Sequence, residues 1–161
     1  MMKLNHSLKT GFSFGLTSAT ITTLGLMAGL EAGTKSKLIV LGGILTIAIA
    51  DAFSDALGIH VSEEAENKHT NREIWMATFS TFIAKFLFAM TFLVPVMLFE
   101  LPAAVLVSIA WGLIIMTFAS YQIAKSSKQK PLNVIFEHVG IMLVVIIITH
   151  YVGDAIATLF G

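Results

Sequence analysis

The sequence predicts an all-α integral membrane protein with five transmembrane helices, and three observations support this fold class. Of the 161 residues, 56% are hydrophobic and only 12% are charged, well below the roughly 25% of an ordinary soluble domain. Long apolar runs with few or no charged residues alternate with short polar connections that carry most of the charges. Each run has about the 20 residues that a helix needs to cross the hydrocarbon core of a bilayer.

The apolar runs delimit five spans within a single domain over residues 1–161. The predicted spans cover residues 12–30, 38–62, 74–99, 101–124 and 134–160. Lys3 and Lys9 precede the first run, as in a secretory leader, but that run is rich in threonine and four further runs follow. We therefore interpret it as an uncleaved first transmembrane helix.

Basic residues are distributed unevenly between the connections. With a cytoplasmic N-terminus, the cytoplasmic set is Lys3, Lys9, Lys68, Arg72, Lys125, Lys128 and Lys130. The opposite side then receives only Lys35 and Lys37. The positive-inside rule predicts this orientation, which places the C-terminus on the opposite side of the membrane.

Charge and motif content exclude several classes of function. Ten basic and ten acidic residues give a formal net charge of zero, so no nucleic-acid partner is expected. Because the chain has no cysteine, a bound metal would need carboxylate, imidazole or thioether ligands. The sequence contains no zinc-protease motif, phosphate-binding glycine loop or nucleophile–base pair, so neither an enzyme nor a resident cofactor is expected.

Three charged residues lie inside the predicted spans at similar depths. Asp51 and Asp55 are one helical turn apart, which puts both carboxylates on one face of the second helix. Counted along each helix, Asp51 lies roughly 20 Å from one end of its span and Lys85 roughly 16 Å from the opposite end. Both depths fall near the middle of a ~30 Å core, so Lys85 should reach at least one aspartate.

Two interpretations of this cluster stay open. A Lys85–aspartate pair could simply join the second and third helices. One lysine neutralises only one aspartate, however, and the surplus carboxylate needs a proton, a cation or water. A charge at the bilayer centre costs about 2.5–3.5 kcal/mol, so such residues are functional by default. We therefore favour a functional role over a structural one, with Asp51 and Asp55 as candidate ligands of a metal cation or a proton and Lys85 as their proton or charge-pair partner.

The connection after the second span is rich in acidic and imidazole groups. Its candidate metal ligands are Glu63, Glu66 and His69, accompanied by His60, Glu64 and Glu73. Oxygen and imidazole ligands suit divalent cations, but a solvated acidic loop explains the run equally well. In the last span, His150 and Asp154 share a face and are interpreted as interfacial residues.

Small residues recur at four-residue spacing in the first helix and include Gly15, Gly25 and Gly29. Such residues let helix backbones approach closely in a bilayer. The spacing is compatible with packing inside one subunit and with a homodimer seam, so both interpretations stay open at this point.

Residues 50–58 (ADAFSDALG), together with Ser62 and Glu66, resemble the second-helix signature of the vacuolar iron transporter family. Weaker similarities to the same family occur at Gly15-Leu16-Thr17, Ala28-Gly29, His69, Arg72, Glu73, Thr149, Tyr151 and Gly153. The resemblance implies a homodimer that exports Fe²⁺ or Mn²⁺ from the cytosol in exchange for protons, and favours the glycine seam. The expected location is the inner membrane of a prokaryote.

The sequence departs from the family pattern at three positions and in one connection. Phe14 stands where the family has an aspartate, Asp55 replaces a methionine, and Lys85 replaces a small residue. The cytosolic extension is reduced to residues 63–73. Exchanging a thioether for a carboxylate favours harder cations such as Mn²⁺. The alternative function is a non-transporting membrane scaffold in which the Lys–Asp pair is structural.

Overall fold

Six helices make up the part of the chain that the computed structural model describes, which is the backbone of residues 2–161 and the side chains of residues 6–161. The helices are α1 (Met2–Thr34), α2 (Lys37–Ala65), α3 (Asn71–Thr91), α4 (Leu93–Leu98), α5 (Leu101–Ser126) and α6 (Pro131–Phe160). Helix accounts for 90% of the residues, and no strand occurs between residues 2 and 161.

Five helical segments are long and apolar enough to cross a membrane, with α3 and α4 together counted as the third. This confirms the predicted number of apolar helices. The helices run past the predicted bounds because backbone hydrogen bonding, once started, propagates through adjoining polar residues. For example, α2 continues through Glu63 and Glu64 to Ala65. The predicted orientation stays a prediction, and the side chain of Lys3 lies outside the described residues.

The third span is not one continuous helix, which is a departure from the sequence prediction. Proline has no N–H, so Pro95 cannot donate to the carbonyl of Thr91, four residues earlier. The chain turns more tightly there, and the N–H of Phe92 donates to the carbonyl of Ala89 at 3.1 Å. The Thr91 hydroxyl accepts a hydrogen bond from the indole N–H of Trp111 at 3.1 Å, which ties the break to α5.

Helix α1 lies at the centre of the bundle and uses its glycines to approach two neighbours. Near its start, a Cβ at Gly15 would lie 2.5 Å from the Thr81 carbonyl oxygen of α3. Near its end, a Cβ at Gly29 would lie 3.1 Å from the Thr149 carbonyl oxygen of α6. Small residues therefore bring the α1 backbone close to α3 at one end and to α6 at the other.

The seam predicted at Gly15, Gly25 and Gly29 needs correction for this reason. Gly25 also faces α6, where an added Cβ would lie 2.9 Å from the Val145 side chain. These three glycines are therefore covered by helices of their own chain and are not free to contact a second copy. The alternative left open by the spacing, packing within one subunit, describes them correctly.

The outer surface of the bundle is strongly apolar, whereas several polar groups lie inside. Exposed side chains include Leu38, Leu106, Phe136 and Phe160, which are 79%, 68%, 75% and 83% exposed. Fully enclosed polar side chains include Thr20, Thr23, Thr81, Lys85, Ser108 and Ser120. An apolar exterior around a partly polar interior is compatible with an integral membrane protein.

Candidate functional site

Three neighbouring helices bring four polar side chains together in the middle of the bundle. Asp51 and Asp55 come from successive turns of α2, Lys85 comes from α3, and Ser18 comes from α1. Ala52 and Ala56 of α2 are buried against the bundle. Their small side chains allow α2 to pack closely enough for its aspartates to meet the lysine.

The ammonium of Lys85 makes three polar contacts. It donates to a carboxylate oxygen of Asp55 and, at 2.8 Å, to the hydroxyl of Ser18. It also lies 2.5 Å from Asp51 Oδ2, an ion-pair contact that lacks the alignment of a hydrogen bond. Two of the three N–H groups of the ammonium therefore donate hydrogen bonds to described side chains, and Asp51 adds an ion-pair contact.

The hydroxyl of Ser18 links the lysine to one of the two aspartates. It accepts from Lys85 and donates to Asp55 Oδ2 at 2.6 Å. Asp55 therefore accepts two hydrogen bonds, whereas Asp51 Oδ2 accepts none from the described side chains. The prediction that Lys85 reaches at least one aspartate is confirmed, and both are in contact with it.

The cluster is closed on the lysine side and partly open on the aspartate side. The Lys85 side chain is 1% exposed, while those of Asp51 and Asp55 are 26% and 19% exposed. Asp51 also lines an open groove of about 690 Å³ between α1 and α2. The other lining residues are Thr22, Leu26, Leu30, Ile39, Gly43, Thr46, Ile47, Ala50 and Ser54. An ion that reached the carboxylates from this groove would meet Asp51.

Sequence reasoning missed Ser18 because a serine is unremarkable in a helix already rich in threonine and serine. Both α1 and α3 begin at the same end of the bundle, and Ser18 and Lys85 lie 16 and 14 residues from the starts of their helices, Met2 and Asn71. The predicted first span begins only at residue 12, so the similar depths of the two residues were not visible from the sequence.

The predicted ligands of the α2–α3 connection are partly brought together. His69 Nε2 lies 3.3 Å from Glu63 Oε2 and 4.0 Å from Glu66 Oε2. Glu66 also contacts Lys68 at 3.6 Å. At helical rise, Glu63 lies about 12 Å along α2 from Asp55, so this group is separate from the lysine cluster.

The other acidic and imidazole residues near this connection have structural contacts. Glu73 accepts from the N–H and hydroxyl of Thr70, both at 2.9 Å, and so forms the capping box that begins α3. The ring of His60 is hydrogen-bonded to the Thr78 hydroxyl at 2.9 Å. Neither residue joins Glu63 and His69 in one group.

Among the described side chains, no ion pair or hydrogen bond joins a polar residue of α6 to the lysine cluster. His150 and Asp154 are exposed near the end of the helix, in keeping with their interpretation as interfacial residues. His138, closer to the start, is hydrogen-bonded to the buried Ser120 hydroxyl of α5 at 3.0 Å.

Among residues 6–161, no three His, Asp or Glu side chains are arranged to hold a metal ion. The two aspartates thus supply carboxylate oxygens that face an ammonium, and the connection supplies one imidazole between two carboxylates. No family model matches this chain, and no curated protein matches it significantly. The resemblance to the vacuolar iron transporters stays a prediction.

Proposed function

We propose that the chain is an integral membrane protein, with a cytoplasmic N-terminus, that moves a divalent metal cation out of the cytosol in exchange for protons. Fe²⁺ and Mn²⁺ are the proposed substrates, and Asp51 and Asp55 are the proposed ligands. The observation that carries the proposal is the pairing of two carboxylates with one ammonium. If all three groups are charged, one negative charge is in surplus in the middle of an apolar bundle.

Neutrality of this cluster suggests how a cation and protons could exchange. With Lys85 charged, one aspartate ionised and the other protonated, the cluster carries no net charge. A divalent cation between two ionised aspartates is also neutral, provided that Lys85 has given up its proton. An isolated charge is expensive in an apolar environment, so these two neutral arrangements are the favoured ones. Each cation would then exchange for two protons.

The groove beside Asp51 supports this proposal, because it provides an approach to the carboxylates that does not pass the buried lysine. On this account the ammonium of Lys85 and the metal cation compete for the same carboxylate oxygens. Lysine suits such a role because, unlike arginine, it can lose its proton in a buried site.

A non-transporting scaffold is the second candidate function, and the closed environment of Lys85 favours it. The side chain is 1% exposed, and its ammonium contacts one residue of α1 and two of α2: Ser18, Asp51 and Asp55. Such a cluster would join α1, α2 and α3 without moving an ion. Removing one member of a buried ion pair typically costs about 3–5 kcal/mol, because the remaining charge loses its partner.

Transport by aspartate variants tests the leading proposal. In proteoliposomes with an imposed proton gradient, wild-type protein should move Mn²⁺ or Fe²⁺, and Asp51→Asn, which leaves Lys85 its hydrogen bond to Asp55, should not. Asp154→Asn is the matched control, because it removes the same charge from an exposed position near the end of α6. Wild-type protein that moves neither cation, or an Asp51→Asn variant as active as Asp154→Asn, would argue against the proposal.

Two substitutions of Lys85 distinguish transport from scaffolding. For a transporter, Lys85→Met should stay folded, because protonation can neutralise the aspartates, and should bind the cation more tightly. Lys85→Arg should stop transport, because arginine keeps its charge when the cation arrives. For a scaffold, Lys85→Met should lower the unfolding free energy by about 3–5 kcal/mol. Melting temperature and Mn²⁺ affinity, measured on both variants, separate these outcomes.

A further inference from the structure

A second groove lies at the end of the bundle where α1 and α3 begin and α5 ends. It has a volume of about 720 Å³ and is separate from the aspartate cluster. Its lining residues are Leu8, Lys9, Phe12, Ser13, Leu16, Ser80, Phe118, Ala119, Gln122, Ile123, Lys125 and Ser126. The Ser80 hydroxyl donates to the Leu8 carbonyl at 2.8 Å, and this bond joins α3 to α1 beside the groove.

The lining of the groove changes from basic to apolar along the helices. Lys9 lies near the start of α1 and Lys125 near the end of α5, so both ammonium groups belong to the same end of the bundle. Phe12 and Leu16 extend the α1 side of the groove by about 10 Å towards the middle of the bundle. The opposite side, formed by α5, contributes Phe118.

The two lysines have no acidic partner among the described side chains. The ion pairs that those side chains form involve Lys35, Lys68, His69 and Lys85. No acidic residue lines the groove either. Two ammonium groups without an acidic partner therefore lie at one end of a groove of mixed lining. Its apolar residues are Leu8, Phe12, Leu16, Phe118, Ala119 and Ile123, and its other polar residues are Ser13, Ser80, Gln122 and Ser126.

We propose that this groove binds one anionic phospholipid from the leaflet at this end of the bundle. The phosphate would lie between Lys9 and Lys125, and the first part of an acyl chain would lie against Phe12, Leu16 and Phe118. Basic pockets between transmembrane helices commonly bind anionic head groups in this way. The proposal depends on the membrane setting proposed above and is independent of cation transport.

Charge complementarity favours a lipid over the other candidate occupants. A second copy of this chain docked through the same face would bring four lysines together, which is unfavourable without an anion. A soluble phosphate would satisfy the lysines but leave the apolar lining in contact with water. An anionic lipid matches both parts of the groove.

Native mass spectrometry of the full chain tests the proposal. The protein is mixed with equal amounts of phosphatidylglycerol and phosphatidylcholine in a mild detergent, and the retained lipids are counted. Wild-type protein should retain one phosphatidylglycerol in preference to phosphatidylcholine. Replacing both lysines (Lys9→Gln with Lys125→Gln) should weaken phosphatidylglycerol binding roughly 30-fold, from the usual contribution of a lysine near an anionic surface.

Two control variants and one competitor make the test specific. Lys128→Gln with Lys130→Gln removes the same charge from residues outside the groove and should change binding only a few-fold. Lys9→Arg with Lys125→Arg keeps the charge and should keep the preference. Glycerol 3-phosphate at millimolar concentration should not displace the lipid.

Several results would overturn the assignment. One is that wild-type protein retains the two lipids equally. Another is that the two double glutamine variants lose the same amount of phosphatidylglycerol binding. The third is that glycerol 3-phosphate displaces the lipid, which would indicate a phosphate site without an acyl chain. Dimerisation through this face with no lipid retained would assign the groove to a second copy. Melting temperatures in phosphatidylcholine alone show whether each variant is folded.

Discussion

Gly153 marks the closest approach of α6 to α1, and replacing it with alanine tests the packing that holds the bundle together. A Cβ at this position would overlap the Gly29 carbonyl oxygen and lie 2.9 Å from the Gly29 carbonyl carbon and 3.0 Å from the Gly33 nitrogen. All three are backbone atoms, so no side chain can rotate to make room. The two helices would have to move apart.

The expected cost combines overpacking with a smaller gain in helix propensity. Overpacking of a well-packed interior costs about 1–3 kcal/mol, and contacts with rigid backbone belong at the top of that range. Alanine in place of a glycine inside a helix stabilises the folded state by about 0.5–1 kcal/mol. Gly153→Ala should therefore lose about 2 kcal/mol, or roughly 4–8 °C in melting temperature for a chain of this size.

Gly140→Ala is the matched control, because Gly140 lies in the same helix and a Cβ there would meet nothing within 4 Å. This variant should gain stability from the higher helix propensity of alanine, with no cost from overpacking, and should melt about 1–4 °C above wild type. Thermal unfolding in detergent, followed by the fluorescence of Trp75 and Trp111, measures both variants. A Gly153→Ala protein that melts at or above the wild-type temperature would refute the close approach of α6 to α1.

Three further predictions concern the cluster, the α1 glycines and one turn. Ser18→Ala removes a hydrogen bond to the Asp55 carboxylate and should lower the unfolding free energy by about 1.5–3 kcal/mol; an unchanged melting temperature would contradict this. Gly25→Leu with Gly29→Leu should unfold the chain, because both glycines face α6. A folded variant with half the mass of the wild-type particle in size-exclusion chromatography would instead support a dimer interface at these glycines. Lys128→Gly should raise the unfolding free energy by about 0.5–1 kcal/mol, measured by melting temperature, because Lys128 follows the C-cap of α5 and has a left-handed backbone with φ 57°.

The five apolar spans could be predicted from sequence because length and hydropathy alone set which segments can cross a bilayer. The meeting of Lys85 with Asp51 and Asp55 could also be predicted, since helical rise fixes depth once the direction of each helix is assigned. Depth does not fix rotation about the helix axis. The sequence therefore left open whether one aspartate or both contact the lysine.

The glycine ridge shows what spacing cannot establish. Four-residue spacing shows that one face of a helix carries small side chains, but it does not identify the helix that packs against that face. Gly15 and Gly25 are ten residues apart, which rotates them onto different faces of α1, and the structure places one against α3 and the other against α6. The break at Phe92 was missed because Pro95 lies inside an otherwise uninterrupted apolar run.

The two aspartates of the cluster have different surroundings, and this difference leads to a last prediction. Asp55 accepts hydrogen bonds from both Lys85 and Ser18. Asp51 Oδ2 has only the ion-pair contact and lies beside the open groove. We infer that Asp55 is the carboxylate that holds Lys85 in place, whereas Asp51 contributes less to the stability of the cluster.

Asparagine keeps the shape of aspartate without its charge, so substitution shows which of the two carboxylates stabilises Lys85. Asp51→Asn should leave the melting temperature close to that of wild type, because Lys85 keeps Asp55 as its partner. Asp55→Asn should lower the unfolding free energy by about 3–5 kcal/mol, because the buried ammonium loses its better hydrogen-bonded carboxylate. Equal losses from the two variants would show that the two carboxylates stabilise Lys85 equally, and the distinction drawn from their hydrogen bonds would then have to be abandoned.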